Sequence, residues 1–455
     1  MNVLVLNGSP KGNYSITLQT VLYLEKKFPE HQFNVLHVGQ RIKALEKDFS
    51  PAIEAIAQAD LLLFSYPVYT FIAPCQLHRF IELMKEHQID VTSKYASQIT
   101  TSKHFYDVTA HRYIQDNCQD MGLKFVRGLS ADMEDLTTLK GQQEAISFWK
   151  HLCWSIEQGY AEPCLNHQSA PKHVPTSNAC SDSNGSKYVL DADVVIVADL
   201  ADVDSPLGKM IARFQSVLPI KSRIVNLREY PFKGGCLGCF NCATDGVCIY
   251  KDGFDEFLRN NIQKAQAIIY AFDIKDHSMG ALFKMYDDRQ FCNGHRTVTV
   301  GMPVGYLISG NYSEETNLQM VLEGRAQVGG NILVGMATDE FNPDAAIDEM
   351  ANTLTHALKD PISRPSNFLG VGGMKIFRDL IYQMQGMMKA DHKFYKSHGL
   401  YKDFPQKHKG TIFKMYLVGA LLSSPKLKSK MGNSMNEGMI APYRKVLDSV
   451  DKEKN

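Results

Sequence analysis

The fold is decided by residues 3–17, which read Val-Leu-Val-Leu-Asn-Gly-Ser-Pro-Lys-Gly-Asn-Tyr-Ser-Ile-Thr. The apolar run Val3–Leu6 is typical of a strand that is buried on both faces, as in a parallel sheet. The loop that follows contains two glycines and leads into an amphipathic helix whose apolar residues include Val21 and Leu24. Strand, loop and helix in this order predict an α/β fold in which a ligand binds beyond the carboxyl ends of the strands.

The loop after this first strand has the groups that an anion site needs. Hydroxyls, an amide, a lysine and the N-terminus of the next helix would all favour a phosphate, and the residues concerned are Ser9, Lys11, Asn13, Ser15 and Thr17. Neither G-x-x-x-x-G-K-[ST] nor G-x-G-x-x-G is present, which argues against a nucleoside triphosphate and a dinucleotide. One terminal phosphate, as on FMN, suits the loop; the alternative is an ordinary, well-capped strand-to-helix turn.

Two further loops should lie at the same edge of the sheet. A third strand at Leu61–Phe64 leads into a segment whose side chains could flank a flat heteroaromatic ring, namely Pro67, Val68, Tyr69, Thr70 and Phe71. The strand at Ala96–Thr101 ends in Thr101, Ser102 and Lys103, which would form another wall of the same site. Ordinary loop packing is the alternative for any one of these side chains.

The pattern of strands and helices appears twice along the chain. The first alternating unit spans residues 1–160, and a segment rich in Pro, Ser and Asn at 161–187, with Cys164 and Cys180, reads as a linker. A second unit spans 188–360 in the same order of elements, with a strand predicted at Val298–Met302. Residues 361–455 show helical patches only. The sequence therefore predicts two doubly wound parallel-sheet α/β units, which we interpret as an internal duplication, and a helical C-terminal extension.

The second unit contains a cysteine-rich loop, residues 234–248. Its thiols follow the spacing C-x2-C-x2-C-x5-C, at Cys236, Cys239, Cys242 and Cys248. Three ligands within seven residues favour an iron–sulfur cluster, most simply [4Fe–4S], over a zinc site built from two separated pairs. A zinc knuckle and thiols that bind nothing are the alternatives. Cys75, near a predicted helix start, is interpreted as a buried structural thiol.

Composition limits the class of protein. The 455 residues include 49 basic and 49 acidic side chains, and this balance argues against a nucleic-acid or membrane-surface role. Ten cysteines in a chain without a secretion signal point to ligands or free thiols rather than disulfides. We expect a soluble, cytoplasmic protein.

The loop residues resemble a known family. Leu6–Asn13 and Tyr66–Tyr69, followed by Pro74, Gln76, Leu77 and Arg79, are similar to the NAD(P)H-dependent FMN reductases of the flavodoxin-like superfamily. The cysteine loop, followed by Lys251-Asp252, resembles the iron–sulfur flavoproteins of that group. The resemblance covers residues 1–130 and 190–340. It implies flavodoxin-like units that each carry one FMN and one [4Fe–4S] cluster and that work as dimers.

The sequence departs from that family by dividing the motifs between its two units. The first unit keeps both FMN loops but has no cysteine run. The second keeps the cysteines, but its loop at 199–208 carries Asp199, Asp202 and Asp204, which would repel a phosphate, and Gly253 replaces the family's second Asp. We therefore expect FMN in the first unit and the cluster in the second.

The resulting expectation is a redox flavoprotein. Electrons would pass among NAD(P)H or ferredoxin, the [4Fe–4S] cluster, FMN and a small acceptor, and no catalytic acid or base is required from the chain. The two units would form an internal pseudo-dimer in which the cysteine loop faces the FMN, with pairing between two chains as the alternative. The other candidate functions are an FMN-dependent quinone or nitro reductase without a functional cluster, and a redox-sensing protein without turnover.

Overall fold

The structure is a computed structural model that describes residues 1–163, 190–243, 245–360, 366–402 and 409–422. Most of the predicted linker, including Cys164 and Cys180, lies outside the described residues. The chain divides into two compact parts, Met1–Phe394 and Tyr395–Asn455; below, the first and second unit are still the α/β regions 1–160 and 188–360. Both predicted α/β regions belong to the larger part.

The first sheet is parallel throughout, with strand order β2-β1-β3-β4-β5 and with β6 pairing to β4. Its strands are β1 Asn2–Asn7, β2 Gln32–Leu36, β3 Leu61–Pro67, β4 Tyr95–Ser102, β5 Lys124–Phe125 and β6 Leu129–Asp132. The helices that connect or follow them are α1 Ile16–Lys27, α2 Val38–Leu45, α3 Ser50–Ala57, α4 Cys75–Glu86, α5 Asp107–Asp120 and α6 Leu139–Glu157.

The second sheet is also parallel and has the order β11-β10-β9-β7-β8. Its strands are β7 Leu190–Ala198, β8 Ile220–Asn226, β9 Ala267–Asp273, β10 Pro303–Ser309 and β11 Ile332–Thr338. The helices are α7 Pro206–Val217, α8 Phe254–Phe257, α9 Gly280–Arg289, α10 Thr316–Gly329 and α11 Pro343–Lys359. Counted within its own region, each sheet begins with the strand order second, first, third, fourth, fifth.

The predicted fold class, two doubly wound parallel α/β units with a helical C-terminal region, is confirmed. After α11 the described residues contain only helices, α12 Phe368–Gln383, α13 Lys389–Ser397 and α14 Lys409–Leu422. Among the helices in the described ranges, none combines the length and hydrophobicity that crossing a membrane requires.

The largest hydrophobic core joins the two sheets. It contains buried residues of α4, such as Phe80 and Ile81, together with residues of α9, such as Phe283 and Tyr286. The opposite face of the first sheet is covered by α6 through Trp149, and that of the second by α7 and α11 through residues such as Phe214. The inner helices therefore bring the two sheets together around one core.

Some element boundaries predicted from the sequence are wrong. The strand predicted at Val298–Met302 is a turn-rich segment in which the side chains of Val298 and Val300 are exposed, and the strand is Pro303–Ser309. Gly301, in the left-handed region at φ +77°, ends the first segment, and Pro303 occupies the first strand position, where a missing N–H is tolerated. Helix α2 was not predicted. The sequence also predicts one strand at Phe125–Leu129, and in the structure this stretch is divided between β5 and β6.

Candidate cofactor site

The loop after β1 is a compact, buried turn. Ser9, Ser15 and Thr17 are each at most 2% exposed, whereas Asn13 is exposed. Ser15 is the N-cap of α1, and its Oγ accepts a hydrogen bond from the Leu18 N–H at 3.4 Å. The Thr17 hydroxyl pairs with the hydroxyl of Thr101 on β4 at 2.6 Å, which ties this loop to the next predicted wall.

Asn7, a residue that the sequence analysis did not select, shapes this loop from inside. It ends β1 and is fully buried. Its Nδ2 donates to the Gly12 carbonyl at 3.0 Å, and its Oδ1 accepts from the Ser9 N–H at 3.2 Å. Gly39 at the start of α2 packs so closely that a Cβ there would collide with the backbone of Gly8 and Ser9. The sequence feature that could have identified Asn7 is a polar amide side chain directly after the apolar run of a buried strand.

The ring loop after β3 is a tight turn with two left-handed residues. Tyr69 and Ile72 exchange backbone hydrogen bonds of 2.8 and 3.1 Å, and the φ angles of Thr70 and Phe71 are +42° and +75°. The Phe71 side chain turns inward, 5% exposed, and packs 4.3 Å from the ring of Tyr106. Pro67 and Val68 are half-buried at the strand end. Phe71, which the sequence predicted to flank a ring, instead packs in the core beneath the turn.

The loop after β4 borders the same region. Thr101 and Ser102 are buried, and the Ser102 Oγ accepts the His104 N–H at 2.8 Å. The Lys103 ammonium forms ion pairs with Asp132 at 2.9 Å and Glu134 at 3.3 Å, and these partners raise its pKa although burial opposes them. Lys103 is therefore already neutralised by side chains of its own unit.

The cysteine loop gathers its thiols within electrostatic reach of one another. Burial raises the pKa of Cys236, and the neighbouring Cys242 and Cys239 raise it further. Burial, followed by the charges of Cys248 and Cys239, raises the pKa of Cys242 to about 11. The Gly238 N–H donates to the Cys236 Sγ at 3.4 Å. Within the described ranges, no three His, Cys, Asp or Glu side chains are grouped so that they could hold a metal ion.

The cysteine loop of the second unit lies against the predicted FMN loops of the first. Gln76 on α4 donates to the Cys236 carbonyl at 3.2 Å, and Gly238 packs against the hydroxyl of Tyr69. The Lys11 Nζ lies 5.2 Å from the centre of the Phe240 ring. Burial lowers the pKa of Lys11, and the thiols of Cys239 and Cys236 oppose that effect. Residues from all three predicted motifs are thus neighbours.

Buried charges on α9 support this contact, and the sequence analysis missed them. Asp288 and Lys284 are fully buried and form an ion pair. Asp288 also accepts the Cys75 N–H at 2.9 Å and the Thr70 hydroxyl at 3.0 Å, and Lys284 donates to the Tyr69 carbonyl at 3.0 Å. The feature of the sequence that could have revealed this ion pair is the spacing of Lys284 and Asp288, four residues apart on one face of a helix whose other residues are largely apolar.

The contact that α4 makes with α9 mirrors the contact that α9 makes with α4. Glu82 on α4 accepts the N–H of Ala281 at the start of α9 at 2.7 Å, as Asp288 on α9 accepts the N–H at the start of α4. The second unit's loop after β9 also repeats the ring-loop conformation. Lys275 and Ser278 exchange backbone hydrogen bonds, and Asp276 and His277 between them have φ angles of +46° and +59°. The two helices therefore contact each other reciprocally, and turns of the same conformation precede both of them.

The carboxyl edge of the second sheet is acidic. Asp199 at the end of β7 is 3% exposed and pairs with Arg228 at 2.7 Å and Lys275 at 3.5 Å. Burial raises the pKa of Asp273, and Asp199 and Asp339 contribute to the same direction. Ser205 caps α7 and donates its hydroxyl to the Asp202 carbonyl at 2.6 Å. One of the predicted repelling carboxylates, Asp199, is thus partly balanced by cations.

The chain is similar to one protein family and to several solved structures. A family model described as flavodoxin-like fold matches residues 1–115. The comparison with curated proteins returned no match. A putative quinone reductase from Klebsiella pneumoniae is 15% identical, covers 36% of this chain and 86% of its own, and has a TM-score of 0.27. The NAD(P)H:quinone oxidoreductase from Methanothermobacter marburgensis is 14% identical, covers 36% of this chain and 98% of its own, and has a TM-score of 0.27.

A third similar structure carries a ligand. The general stress protein 14 from Treponema denticola in complex with FMN is 11% identical, covers 34% of this chain and 98% of its own, and has a TM-score of 0.28. The family match includes β1, β3 and β4 together with the three loops at their carboxyl ends. The first unit therefore has a flavodoxin-like fold, as the sequence predicted.

Proposed function

We propose that this protein is a redox flavoprotein. FMN would bind the first unit and a [4Fe–4S] cluster the cysteine loop, and NAD(P)H or ferredoxin would supply electrons that leave to a small acceptor. The observation that carries the proposal is the contact between the cysteine loop and the predicted FMN loops, made through Lys11, Tyr69 and Gln76. Two redox groups held by these loops would be neighbours in one chain.

The first unit's loop fits a phosphate. The hydroxyl oxygens of Ser9 and Ser15 each accept a backbone N–H, from Lys11 and Leu18, and within the described residues neither hydroxyl donates a hydrogen bond. A hydroxyl that accepts one bond can still donate another, so both could donate to a phosphate oxygen. Asn13 and the first N–H groups of α1 add further donors. FMN supplies hydride acceptance as two electrons and their release one at a time.

The cysteine loop fits an iron–sulfur cluster by the chemistry of its donors. Four thiols lie in one loop, the Gly238 N–H points at one sulfur, and hydrogen bonds of this kind tune clusters. Cations that would offset the negative charge of four thiolates are close by. Burial would lower the pKa of Arg289, but its ion pair with Asp252 and then the charge of Cys248 raise it; burial lowers the pKa of Lys11, and Cys239 and Cys236 oppose that effect. Donor type, spacing and nearby cations support Cys236, Cys239, Cys242 and Cys248 as ligands, although their side chains as they stand are not grouped around one point.

The reciprocal α4–α9 contact supports an internal pseudo-dimer. In a two-fold interface, residue i of one partner contacts j of the other while j contacts i. Asp288 and Glu82 meet this condition, because each accepts a backbone N–H from the first turn of the opposite helix. We therefore propose that one chain performs what two copies of a simpler flavodoxin-like protein perform, with the motifs divided between its halves.

Anaerobic purification followed by iron, zinc and flavin assays tests the proposal. We expect iron and about one FMN per chain. Cys239→Ser should remove the iron and the broad visible absorbance while FMN stays bound; the matched control is Cys153→Ser, a half-buried thiol on α6. Zinc without iron would contradict the cluster. Flavin with neither metal would favour an FMN-dependent quinone or nitro reductase, and both cofactors without NAD(P)H turnover would favour a redox sensor.

Rapid mixing tests the arrangement within one chain. After NAD(P)H reduces the FMN, the rate of cluster reduction should stay constant as the protein is diluted to monomer. A rate that falls on dilution would mean that the two groups meet only across a boundary between chains.

A further inference from the structure

The last described helix, α14, presents large apolar side chains to solvent. The exposed fractions are 45% for Ile412, 64% for Phe413, 76% for Tyr416 and 53% for Leu417. Side chains four residues apart are neighbours on a helix, so 412 and 416 form one row and 413 and 417 the row beside it. Single exposed apolar side chains need no explanation, but four that share one helix face indicate a surface that something else covers.

The sequence around α14 is strongly basic. Residues 396–430 contain eight lysines and one acidic residue, Asp403, although the whole chain has 49 basic and 49 acidic side chains. Lys409 and Lys414 belong to α14 itself and are exposed, and the run Lys426-Leu-Lys-Ser-Lys430 follows the helix in the sequence. The balanced charge of the whole chain therefore conceals a local positive segment, and the rest of the chain is net acidic.

The combination of an apolar helix face with lysines selects one kind of partner. Helices of this kind lie in the plane of a membrane interface, and lysines strengthen their binding to anionic lipids. The 14 residues of α14 extend about 21 Å, less than the roughly 30 Å of a hydrocarbon core, so the helix would lie on the membrane. A nucleic acid would pair with the lysines but leave Phe413 and Leu417 in water. A second copy of the chain would cover the apolar face but bring two positive segments together.

We propose that α14 docks this protein on the surface of a membrane that contains anionic phospholipids. The apolar face formed by Ile412, Phe413, Tyr416 and Leu417 enters the boundary between head groups and acyl chains, where the Tyr416 hydroxyl can stay with the head groups. The neighbouring lysines attract the lipid phosphates. This docking goes beyond the proposed redox function and does not depend on it, because it needs neither cofactor.

Sedimentation of the full chain with vesicles tests the docking. We expect binding to vesicles of three parts phosphatidylcholine to one part phosphatidylglycerol. Each lysine near an anionic surface contributes about fivefold in affinity, so binding to phosphatidylcholine alone should be at least about tenfold weaker. Raising the salt from about 0.1 M to about 0.5 M should weaken binding to the mixed vesicles, because salt screens the lysines. A chain that does not sediment with the mixed vesicles would overturn the proposal.

Two matched double variants test the part that α14 plays. Phe413→Ser with Leu417→Ser removes two exposed side chains of the apolar face and should weaken binding to the mixed vesicles by at least about tenfold. The control is Leu139→Ser with Phe341→Ser, which changes the same residue types where they are 79% and 60% exposed in the larger part of the chain. The control should bind as the wild type does. Equal binding by both double variants would show that α14 is not the docking surface.

A fluorescent variant reports insertion directly. The emission of Tyr416→Trp should shift to shorter wavelength with the mixed vesicles and be quenched by brominated lipids, more than that of the wild type with its own two tryptophans. Unchanged emission would contradict insertion of α14. Tighter binding to duplex DNA than to the vesicles would overturn the proposal in favour of a nucleic acid. A dimer in analytical ultracentrifugation that Phe413→Ser with Leu417→Ser dissociates, in a chain that ignores vesicles, would assign the face to a second copy.

Discussion

The two α/β regions share a scaffold and differ in the side chains at its working edge. Both sheets follow the same strand order, and both ring loops place two consecutive residues in the left-handed region. At the carboxyl edge of the first sheet stand hydroxyls, such as those of Ser15 and Thr101, whereas the second presents carboxylates, such as Asp199 and Asp273. Backbone geometry is therefore compatible with either set of side chains, and we expect the few side chains beyond the strand ends to decide whether an edge can accept a phosphate.

The largest expected difference concerns Asp288 and Glu82, which occupy matching places in the α4–α9 contact. Asp288 is fully buried with Lys284, so Asp288→Asn would leave a buried ammonium without its main counter-charge. Breaking such a pair typically costs 3–5 kcal/mol, and we expect about 4 kcal/mol here. Glu82→Gln should cost only about 1 kcal/mol, because its partner Arg79 keeps Glu46 and Glu86. Urea unfolding measures both, and equal losses would contradict the comparison.

The next largest effect concerns FMN affinity. Aspartate caps a helix as well as serine does, so Ser15→Asp should preserve α1 while it replaces a donor with a negative charge. Losing a charge-assisted bond and adding repulsion should weaken FMN binding by about 3 kcal/mol, more than a hundredfold in Kd. Ser205→Asp makes the matched change at the N-cap of α7 and should leave the flavin titration unchanged. Unaltered FMN binding by Ser15→Asp would place the phosphate elsewhere.

Much of this scaffold was predictable because strand burial leaves a direct trace in sequence. The apolar runs at β1 and β3 and the strand predicted at Ala96–Thr101, which is β4, lie close to their predicted positions. The strand β10 was placed too early because Val298–Met302 is as apolar as the true strand, and only the neighbouring strands decide which of the two is covered. The α4–α9 contact could not be predicted, because it depends on packing between distant segments.

The two edges should also respond in opposite ways to acid. Burial lowers the pKa of His111, behind the first edge and bonded to Thr100 at 2.8 Å, to about 4. The unfolded chain then binds a proton that the folded chain refuses, so stability falls as pH drops below the ordinary histidine pKa of about 6.5. The raised pKa of Asp273 at the second edge acts the other way, because protonation is easier in the folded state.

Single substitutions separate these two contributions. His111→Gln should remove about 2 kcal/mol of the stability that the wild type loses between pH 7 and pH 5, measured by urea unfolding. Asp273→Asn should raise stability at pH 7 and lose that advantage as the pH falls. A wild type and a His111→Gln variant that lose stability in parallel over this range would show that His111 does not hold its proton off in the folded state.

The smallest expected effect decides whether charge alone distinguishes the two edges. Asp202 and Asp204 are exposed, and asparagine at 202 can still accept the 3.0 Å bond from the residue-204 N–H, so Asp202→Asn with Asp204→Asn should change stability by less than about 0.5 kcal/mol. Neutralising them removes repulsion but adds no suitable hydroxyl, because the Ser205 O–H is already donated to the Asp202 carbonyl. At the first edge, by contrast, the Ser15 hydroxyl only accepts a bond within the described residues. FMN titration of the double variant should therefore still saturate at one flavin per chain. A second flavin would show that the carboxylates alone had closed the second edge, and that the hydroxyls of the first are dispensable.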